Sequence, residues 1–114
     1  MSDNAFRIAV MPGDGIGCEV MDAALAVLEA VEKRHNLGFH LRRVDGGALH
    51  YRETGVALAE EGFVEAEQAD AVLFGAMGWP DVRYADGTEI APQLDLRFRM
   101  ELYAGVRPIR AIPQ

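Results

Sequence analysis

Short apolar runs alternate along this chain with longer stretches in which apolar residues recur every three or four positions. The apolar runs at 7–11 and 70–76 predict buried parallel strands, and the alternating segment 39–44 predicts another strand. Helical periodicity predicts helices over 18–35, 48–53, 58–69 and from 92 to about 102, and the segment 103–109 predicts a closing strand. The order, β-α-β-α-β-loop-α-β, indicates an α/β fold with a mainly parallel sheet flanked by helices.

Two of these helices have a predicted core face. In the helix over 18–35 the predicted face consists of apolar residues at helical spacing, namely Val20, Ala24, Val27, Leu28 and Val31. Asn36 and Gly38 follow it as a stop signal. In the helix over 58–69 the predicted core contacts are Leu58, Phe63 and Ala66.

Composition indicates one small globular domain. The chain has 114 residues, of which 50% are hydrophobic and 25% charged, and it contains no repeat or linker that would divide 1–114. The single cysteine, Cys18, allows no internal disulfide, which favours a reducing compartment. No apolar run has the length of a membrane span, and the first five residues lack the features of a signal peptide, so we expect a cytoplasmic location.

The charge distribution favours a small anionic partner. The net charge of −7 argues against binding to nucleic acid or to a membrane surface, because phosphate recognition needs clustered Lys and Arg. The C-terminal part of the chain is nevertheless rich in arginine, at positions 97, 99, 107 and 110. A small group of arginines on an otherwise acidic protein is better suited to binding a small acid than to binding a polymer.

Three glycines lie between the first strand and the first helix, in a segment that could approach a ligand closely. Their spacing does not match the dinucleotide fingerprint, because Cys18 stands where the third glycine of that motif belongs. Glu19 would also place negative charge where a phosphate binds. On the glycines alone, a tight strand-to-helix turn is the stronger interpretation.

Two arginines are candidates for holding a carboxylate, since a guanidinium binds that group in a bidentate manner. Arg97 lies in the last predicted helix and Arg107 in the closing strand, so both could converge on one anion pocket beside the glycine turn. The alternative for Arg97 is a solvated pair with Glu101, four residues later. Arg99 and Arg110 are expected at the surface.

Three separate segments resemble one enzyme family. The sequence PGDGIGCEV from Pro12 to Val20 resembles the opening signature of the isocitrate/isopropylmalate dehydrogenases. The segment DAVLFGAMG at 70–78 resembles a strand and turn of that family, and the segment from Leu96 to Pro108 resembles its substrate-binding stretch. The resemblance implies an isopropylmalate-dehydrogenase-like fold, not a Rossmann fold. It also implies an incomplete domain, in which 1–114 form the N-terminal part of the family's first domain.

The resemblance implies a set of cofactor-facing residues. Ile16 matches a residue that touches the cofactor, and Trp79 replaces a glycine in a loop that lies under the nicotinamide end. Glu89 and Ile90 fall where relatives have cofactor- and substrate-facing residues. Two interpretations of Trp79 are left undecided: a lid over the site and a buried anchor.

The resemblance also implies substrate-binding residues. Arg97 and Arg107 match two arginines that hold the malate-like part of the substrate. Gln93 stands where isopropylmalate enzymes usually have a leucine and isocitrate enzymes an asparagine, and Ala91 stands where isocitrate enzymes have a serine. A substrate with a small or polar substituent, as in malate or tartrate, is therefore left open.

The implied activity is oxidative decarboxylation of a malate-like 2-hydroxy dicarboxylic acid with NAD or NADP and Mg²⁺ or Mn²⁺, in a homodimer. The metal ligands and proton-transfer residues of the family come later in its longer chain, so we expect no catalytic residue, no metal ligand and no turnover in 1–114 alone. We also expect an exposed apolar face that favours self-association. The alternatives are a free-standing α/β anion-binding or interaction module that uses the glycine turn and Arg107, and a Rossmann-type nucleotide domain.

Overall fold

A three-stranded parallel sheet forms the centre of the computed structural model, which describes residues 5–113. The strands are β1 (Ala5–Gly13), β2 (Gly38–Arg43) and β3 (Ala71–Ala76), in the order β2-β1-β3. In the register of the sheet, Ile8 pairs with Leu41 of β2 and with Ala71 of β3. The α/β class with a parallel sheet is confirmed.

Four helices connect or follow the strands: α1 (Ile16–His35), α2 (Ala48–Thr54), α3 (Glu60–Gln68) and α4 (Pro92–Arg99). Asn36 caps α1 in the left-handed conformation, with φ of 51°, which confirms the predicted stop. Within residues 5–113, no helix is long and apolar enough to cross a membrane.

The central strand is buried on both faces. Ile8 and Val10 pack with Met21 of α1 on one side of the sheet. Ala9 and Met11 point to the opposite side, as alternation along a strand requires. On that side the core also contains four buried residues from other parts of the chain, namely Val44, Leu58, Ala66 and Leu96. Leu58 and Ala66 are therefore the core contacts that the sequence predicts, and Phe63 packs against them partly buried.

The predicted core face of α1 is wrong for its valines. Val20 and Val27 are 57% and 65% exposed, and Val31 is also exposed. The helix packs on the sheet through Met21 and Leu25, which were not predicted, and through Leu28, which was. Helical periodicity alone could not separate these two faces, because α1 has apolar residues on both.

The predicted closing strand is also wrong. Residues 103–113 have no regular secondary structure and are all exposed, and α4 ends at Arg99, earlier than predicted. Tyr103, in this segment, is fully exposed. A strand needs a neighbour to bind its backbone N–H and C=O groups, and no described strand pairs with this segment.

Candidate functional site

The turn between β1 and α1 is built by glycines that allow close backbone packing. Gly13 has a φ of 81°, and a Cβ atom there would lie 2.0 Å from the carbonyl oxygen of Ala76. A Cβ atom on Gly17 would lie 2.3 Å from the carbonyl oxygen of Pro12. Glycine is required at both positions because neighbouring backbone occupies the space of a side chain.

Three backbone N–H groups of this turn donate to carbonyl oxygens of the protein itself. The Asp14 N–H donates to the carbonyl oxygen of Ala76 at 2.7 Å. The N–H groups of Gly17 and Cys18 donate to the carbonyls of Asp14 and Gly15, at 2.9 and 3.2 Å. A phosphate cradle needs N–H groups that are free and aimed at the ligand, so these three groups are not available for one.

Asp14 joins three segments of the chain. Its side chain is buried, with 3% of the residue exposed, and its carboxylate accepts the N–H groups of Ala48 at 2.8 Å, Leu49 at 2.9 Å and Gly78 at 2.8 Å. Two of these donors belong to the first turn of α2, which has no side-chain cap of its own. Asp14 thereby holds the start of α2 and the loop after β3 against the glycine turn.

This role of Asp14 was not predicted from the sequence. One signal could have indicated it. The residue before α2 is Gly47, which cannot cap the helix with a side chain. A Cβ atom on Gly47 would lie 2.7 Å from the Asp14 carboxylate, so this glycine makes room for a cap from a distant segment.

Trp79 lies against the glycine turn. A Cβ atom built on Gly15 would lie 2.8 Å from the Cζ3 atom of Trp79, closer than to any other side chain. The tryptophan is nevertheless 39% exposed. Trp79 is therefore neither fully buried nor detached from the protein. Ile16, which follows Gly15 in the turn, is 61% exposed.

A cavity of about 300 Å³ lies beside this tryptophan. We call it the Trp79 cavity, and its lining consists of Met77, Gly78, Trp79, Pro80, Val82, Arg83, Glu89 and Ile90. Three of the four predicted cofactor-facing residues therefore share one cavity. Glu89 forms an exposed ion pair with Arg83 at 3.2 Å, whereas Ile90 is 2% exposed and packs with Ala48 and Ala57.

A second cavity, of about 370 Å³, lies between α4 and β3. We call it the Gln93 cavity, and its lining consists of Ala66, Ala69, Asp70, Ala71, Val72, Phe74, Gln93, Leu96, Arg97, Met100 and Leu102. The Gln93 Oε1 atom is buried without a hydrogen-bond partner among the described residues. An unpaired buried amide oxygen destabilises a fold unless a ligand or water binds it.

The two candidate substrate arginines are not brought together. Arg97 lines the Gln93 cavity, but Arg107 does not; it lies in the exposed segment 103–113. No residue of the glycine turn lines that cavity either. Arg97 and Arg107 therefore do not line this cavity together, because Arg107 belongs to a segment that forms no strand.

Arg99 fixes the position of α4. Its guanidinium donates to Glu60 at 2.7 Å and to Glu67 at 2.7 Å, and it lies 4.8 Å from the centre of the Phe63 ring. The hydrogen bonds from Arg99 lower the pKa of Glu60 below its usual range, and the two carboxylates raise the pKa of Arg99. The arginine that sequence reasoning placed at the surface is thus the link between α4 and α3.

No group of three His, Cys, Asp or Glu side chains within residues 5–113 is close enough together to hold a metal ion. The Asp14 carboxylate is already bound by three backbone N–H groups. This part of the chain therefore does not fit a metal site.

Sequence comparison places this arrangement among known enzymes. The family model described as isocitrate/isopropylmalate dehydrogenase matches residues 7–114. The 3-isopropylmalate dehydrogenase of Vibrio parahaemolyticus is 39% identical over 111 residues, which cover 95% of this chain and 31% of the relative. That of Xanthomonas oryzae pv. oryzae has the same identity and coverage. The chain thus spans about a third of the length of the curated relatives it matches.

Structural comparison agrees with the sequence. The crystal structure of a β-decarboxylating dehydrogenase from Thermococcus kodakarensis, in its apo form, superposes with a TM-score of 0.69 and 40% sequence identity. The match covers 86% of this chain and 27% of that chain. The resemblance predicted from the three sequence segments is confirmed, as is the partial form of the fold.

Proposed function

Because this chain belongs to the isocitrate/isopropylmalate dehydrogenase family, we propose that it provides the N-terminal part of an NAD- or NADP-dependent oxidative decarboxylase of a malate-like 2-hydroxy dicarboxylic acid. The observation that supports this most directly is the Gln93 cavity, where a guanidinium and an unpaired amide oxygen line the same space. A cationic group suits a carboxylate, and an amide suits a polar substituent on the acid.

Arg97 has the role of binding one carboxylate of the substrate. Its side chain belongs to α4, whose position is fixed by Arg99, so the guanidinium is held on a rigid element instead of a loop. Arg107 would bind the second carboxylate once the segment 103–113 pairs with a strand. That pairing would bring the two guanidiniums to one dicarboxylate, as the family resemblance implies.

The Trp79 cavity has the role of receiving the nicotinamide end of the cofactor. Its volume of about 300 Å³ suits one ring and its substituent but not a whole dinucleotide. The indole of Trp79 would provide a flat wall for this ring. A nicotinamide held there would supply the hydride acceptor for oxidation of the hydroxyl-bearing carbon of the substrate.

Asp14 and the glycine turn have a positioning role in this proposal. The Asp14 carboxylate holds Gly78, which immediately precedes Trp79, and Gly15 lies against the Trp79 ring. Both contacts fix the wall of the cavity before a ligand arrives. This reduces the loss of conformational entropy on binding.

The chain by itself is expected to show no dehydrogenase activity, because the metal ligands and proton-transfer groups implied by the family are not among its residues. Purified 1–114 should form no NADH with malate, tartrate or isopropylmalate in the presence of Mg²⁺ or Mn²⁺. Substrate-dependent NADH formation by this chain, abolished by Arg97→Met, would contradict that expectation.

The proposed substrate class is tested in the complete gene product. We expect a larger kcat/KM for D-malate or tartrate than for 3-isopropylmalate, because Gln93 presents an amide where an apolar substituent would need an apolar wall. Gln93→Leu should shift the ratio of these kcat/KM values towards isopropylmalate by roughly tenfold. Gln68→Leu, an exposed glutamine at the end of α3, is the matched control. No shift with Gln93→Leu would reject the assignment of Gln93.

The free-standing anion-binding module is less well supported. It needs free backbone N–H groups in the glycine turn, and the N–H groups of Asp14, Gly17 and Cys18 already donate to carbonyl oxygens of the protein. The family assignment over residues 7–114 supports a dehydrogenase instead.

A further inference from the structure

The loop that contains Trp79 folds back on itself as a short hairpin. Arg83 pairs with Glu89 across it in an antiparallel bridge, and the N–H group of Tyr84 donates to the carbonyl oxygen of Thr88 at 3.0 Å. Residues that face each other across an antiparallel bridge have their side chains on the same face. Arg83 and Glu89 therefore lie side by side on one face of the hairpin.

The opposite face of the hairpin packs on the core. Val82 and Tyr84, which flank Arg83 in the sequence, pack partly buried against the cluster that contains Ile90. This packing holds the hairpin against the protein before any ligand arrives. Among the described residues, Arg83 and Glu89 are the only charged side chains that line the Trp79 cavity.

The two charged groups form an ion pair that leaves hydrogen-bonding capacity unused. The Nη2 atom of Arg83 lies 3.2 Å from the Oε1 atom of Glu89, and the Nη1 atom donates to the carbonyl oxygen of Gly87 at 3.4 Å. A guanidinium has more N–H groups, and a carboxylate more lone pairs, than these contacts use. The side chains of Arg83 and Glu89 are 44% and 75% exposed, so a ligand in the cavity can reach both.

A neutral group that both donates and accepts hydrogen bonds suits this pair. An anion placed next to Arg83 would also lie next to Glu89, whose charge would repel it. A primary carboxamide has a carbonyl oxygen that can accept from the guanidinium and an NH₂ group that can donate to the carboxylate. The ion pair therefore favours a carboxamide over a carboxylate or a phosphate.

We propose that Arg83 and Glu89 together bind the carboxamide of the nicotinamide ring, with Arg83 donating to its carbonyl oxygen and Glu89 accepting from its NH₂ group. This inference rests on the proposed role of the Trp79 cavity as the site for the nicotinamide end of the cofactor. Both side chains are positioning residues, because two hydrogen bonds to one planar group fix its orientation against the flat wall of Trp79. Arg83, which the sequence did not single out, thereby joins the candidate site.

Titration calorimetry of the complete gene product with NAD and with its 3-acetylpyridine analogue tests the contact with Glu89. The analogue keeps the carbonyl oxygen but has a methyl group in place of the NH₂ group, so it cannot donate to the carboxylate. The unmodified protein should bind NAD roughly fivefold more tightly than the analogue. Glu89→Ala should abolish this preference, whereas Glu89→Gln, which keeps an acceptor oxygen, should retain part of it. If the protein binds NADP more tightly than NAD, NADP and its acetylpyridine analogue replace the first pair.

The same titrations test the contact with Arg83. Arg83→Met should weaken the binding of both dinucleotides about equally, because both contain the carbonyl oxygen that Arg83 binds. Arg52→Met and Glu53→Ala are the matched controls, since both residues are exposed on α2 and neither lines the Trp79 cavity. The controls should change neither the affinity nor the preference.

Trp79→Ala separates this inference from the proposal on which it rests. If Trp79→Ala leaves the affinity for NAD unchanged, the cavity does not hold the nicotinamide end, and both are rejected. If Trp79→Ala weakens binding but Glu89→Ala keeps the preference for NAD, only the carboxamide contact is overturned. The same holds if Arg83→Met has no larger effect than Arg52→Met.

Discussion

The Asp14 carboxylate accepts a hydrogen bond from the backbone N–H of Gly78 at 2.8 Å, across 64 positions of the sequence. The same carboxylate caps the start of α2 through Ala48 and Leu49. One buried side chain thus connects the turn after β1, the second helix and the loop that contains Trp79.

Asp14→Asn should lower the free energy of unfolding by about 1–3 kcal/mol, because a neutral amide oxygen replaces a charged acceptor and its NH₂ group faces backbone donors. Urea denaturation followed by circular dichroism gives this value, and the emission maximum of Trp79 reports movement of its loop. Asp22→Asn, an exposed aspartate on α1, should change neither quantity appreciably. Equal effects of the two substitutions would contradict the role of Asp14.

The contact between Gly15 and Trp79 predicts a specific cost for a side chain in the turn. Gly15 and Gly87 both have a positive φ, of 53° and 86°. A Cβ atom added to Gly15 would lie 2.8 Å from the Trp79 ring, whereas one added to Gly87 would have no atom within 4 Å. Gly87→Ala should therefore lower stability only by the backbone strain, about 1 kcal/mol. Gly15→Ala should lower it further, by the displacement of the ring.

The double substitution Gly15→Ala with Trp79→Ala separates these two effects. Removal of the ring should recover the part of the loss that comes from the clash, so the two changes are not additive. Additive losses in urea denaturation would show that the ring does not limit the space at Gly15.

Arg99 predicts an acid-sensitive link between α3 and α4. The pKa of Glu60 is lowered in the folded protein by the hydrogen bonds from Arg99. The stabilisation is therefore present above the pKa of an unpaired glutamate and is lost as the pH falls through the lower pKa of the folded state. Arg99→Met should remove this loss on acidification.

The measurement is the urea midpoint as a function of pH from neutral to strongly acidic conditions. Arg110→Met is the control, because Arg110 lies in the exposed segment after α4. The gap between the urea midpoints of the unmodified chain and of Arg99→Met should shrink as the pH falls. A gap that is the same at every pH would contradict this prediction.

Tyr84 predicts a loss of stability in alkali. Burial raises the pKa of its hydroxyl, and its ring packs edge-on against Tyr51 with centroids 5.0 Å apart. The neutral phenol stabilises the fold below the pKa of an exposed tyrosine, about 10. This stabilisation is lost as the pH rises through the higher pKa of the folded state.

Tyr84→Phe keeps the ring and removes the ionisable group, so its urea midpoint should depend less on alkaline pH than that of the unmodified chain. Tyr103→Phe is the control, since Tyr103 is fully exposed. An unchanged alkaline dependence in Tyr84→Phe would contradict the assignment.

The strands and the family could be predicted from the sequence, because they depend on local patterns. The buried run at β1 and the left-handed cap at Asn36 follow from residue types within one element. The face of α1 that packs on the sheet could not be predicted, because both Met21 and Val20 belong to apolar stripes of that helix. The strand predicted at 103–109 did not form, since alternation in one segment cannot supply the second strand that it must pair with.

The candidate site, like the fold, could be predicted only in part. Residue types indicated a carboxylate-binding arginine and a glycine turn, and the family resemblance implied a cofactor loop. Only the tertiary structure placed Gln93 and Arg97 on one cavity and Trp79 on Gly15, and only it showed that Asp14 serves segments far along the chain. The physical reason is that propensity and periodicity act over a few neighbouring residues, whereas a buried carboxylate or a cavity is defined by atoms that meet only after the chain has folded.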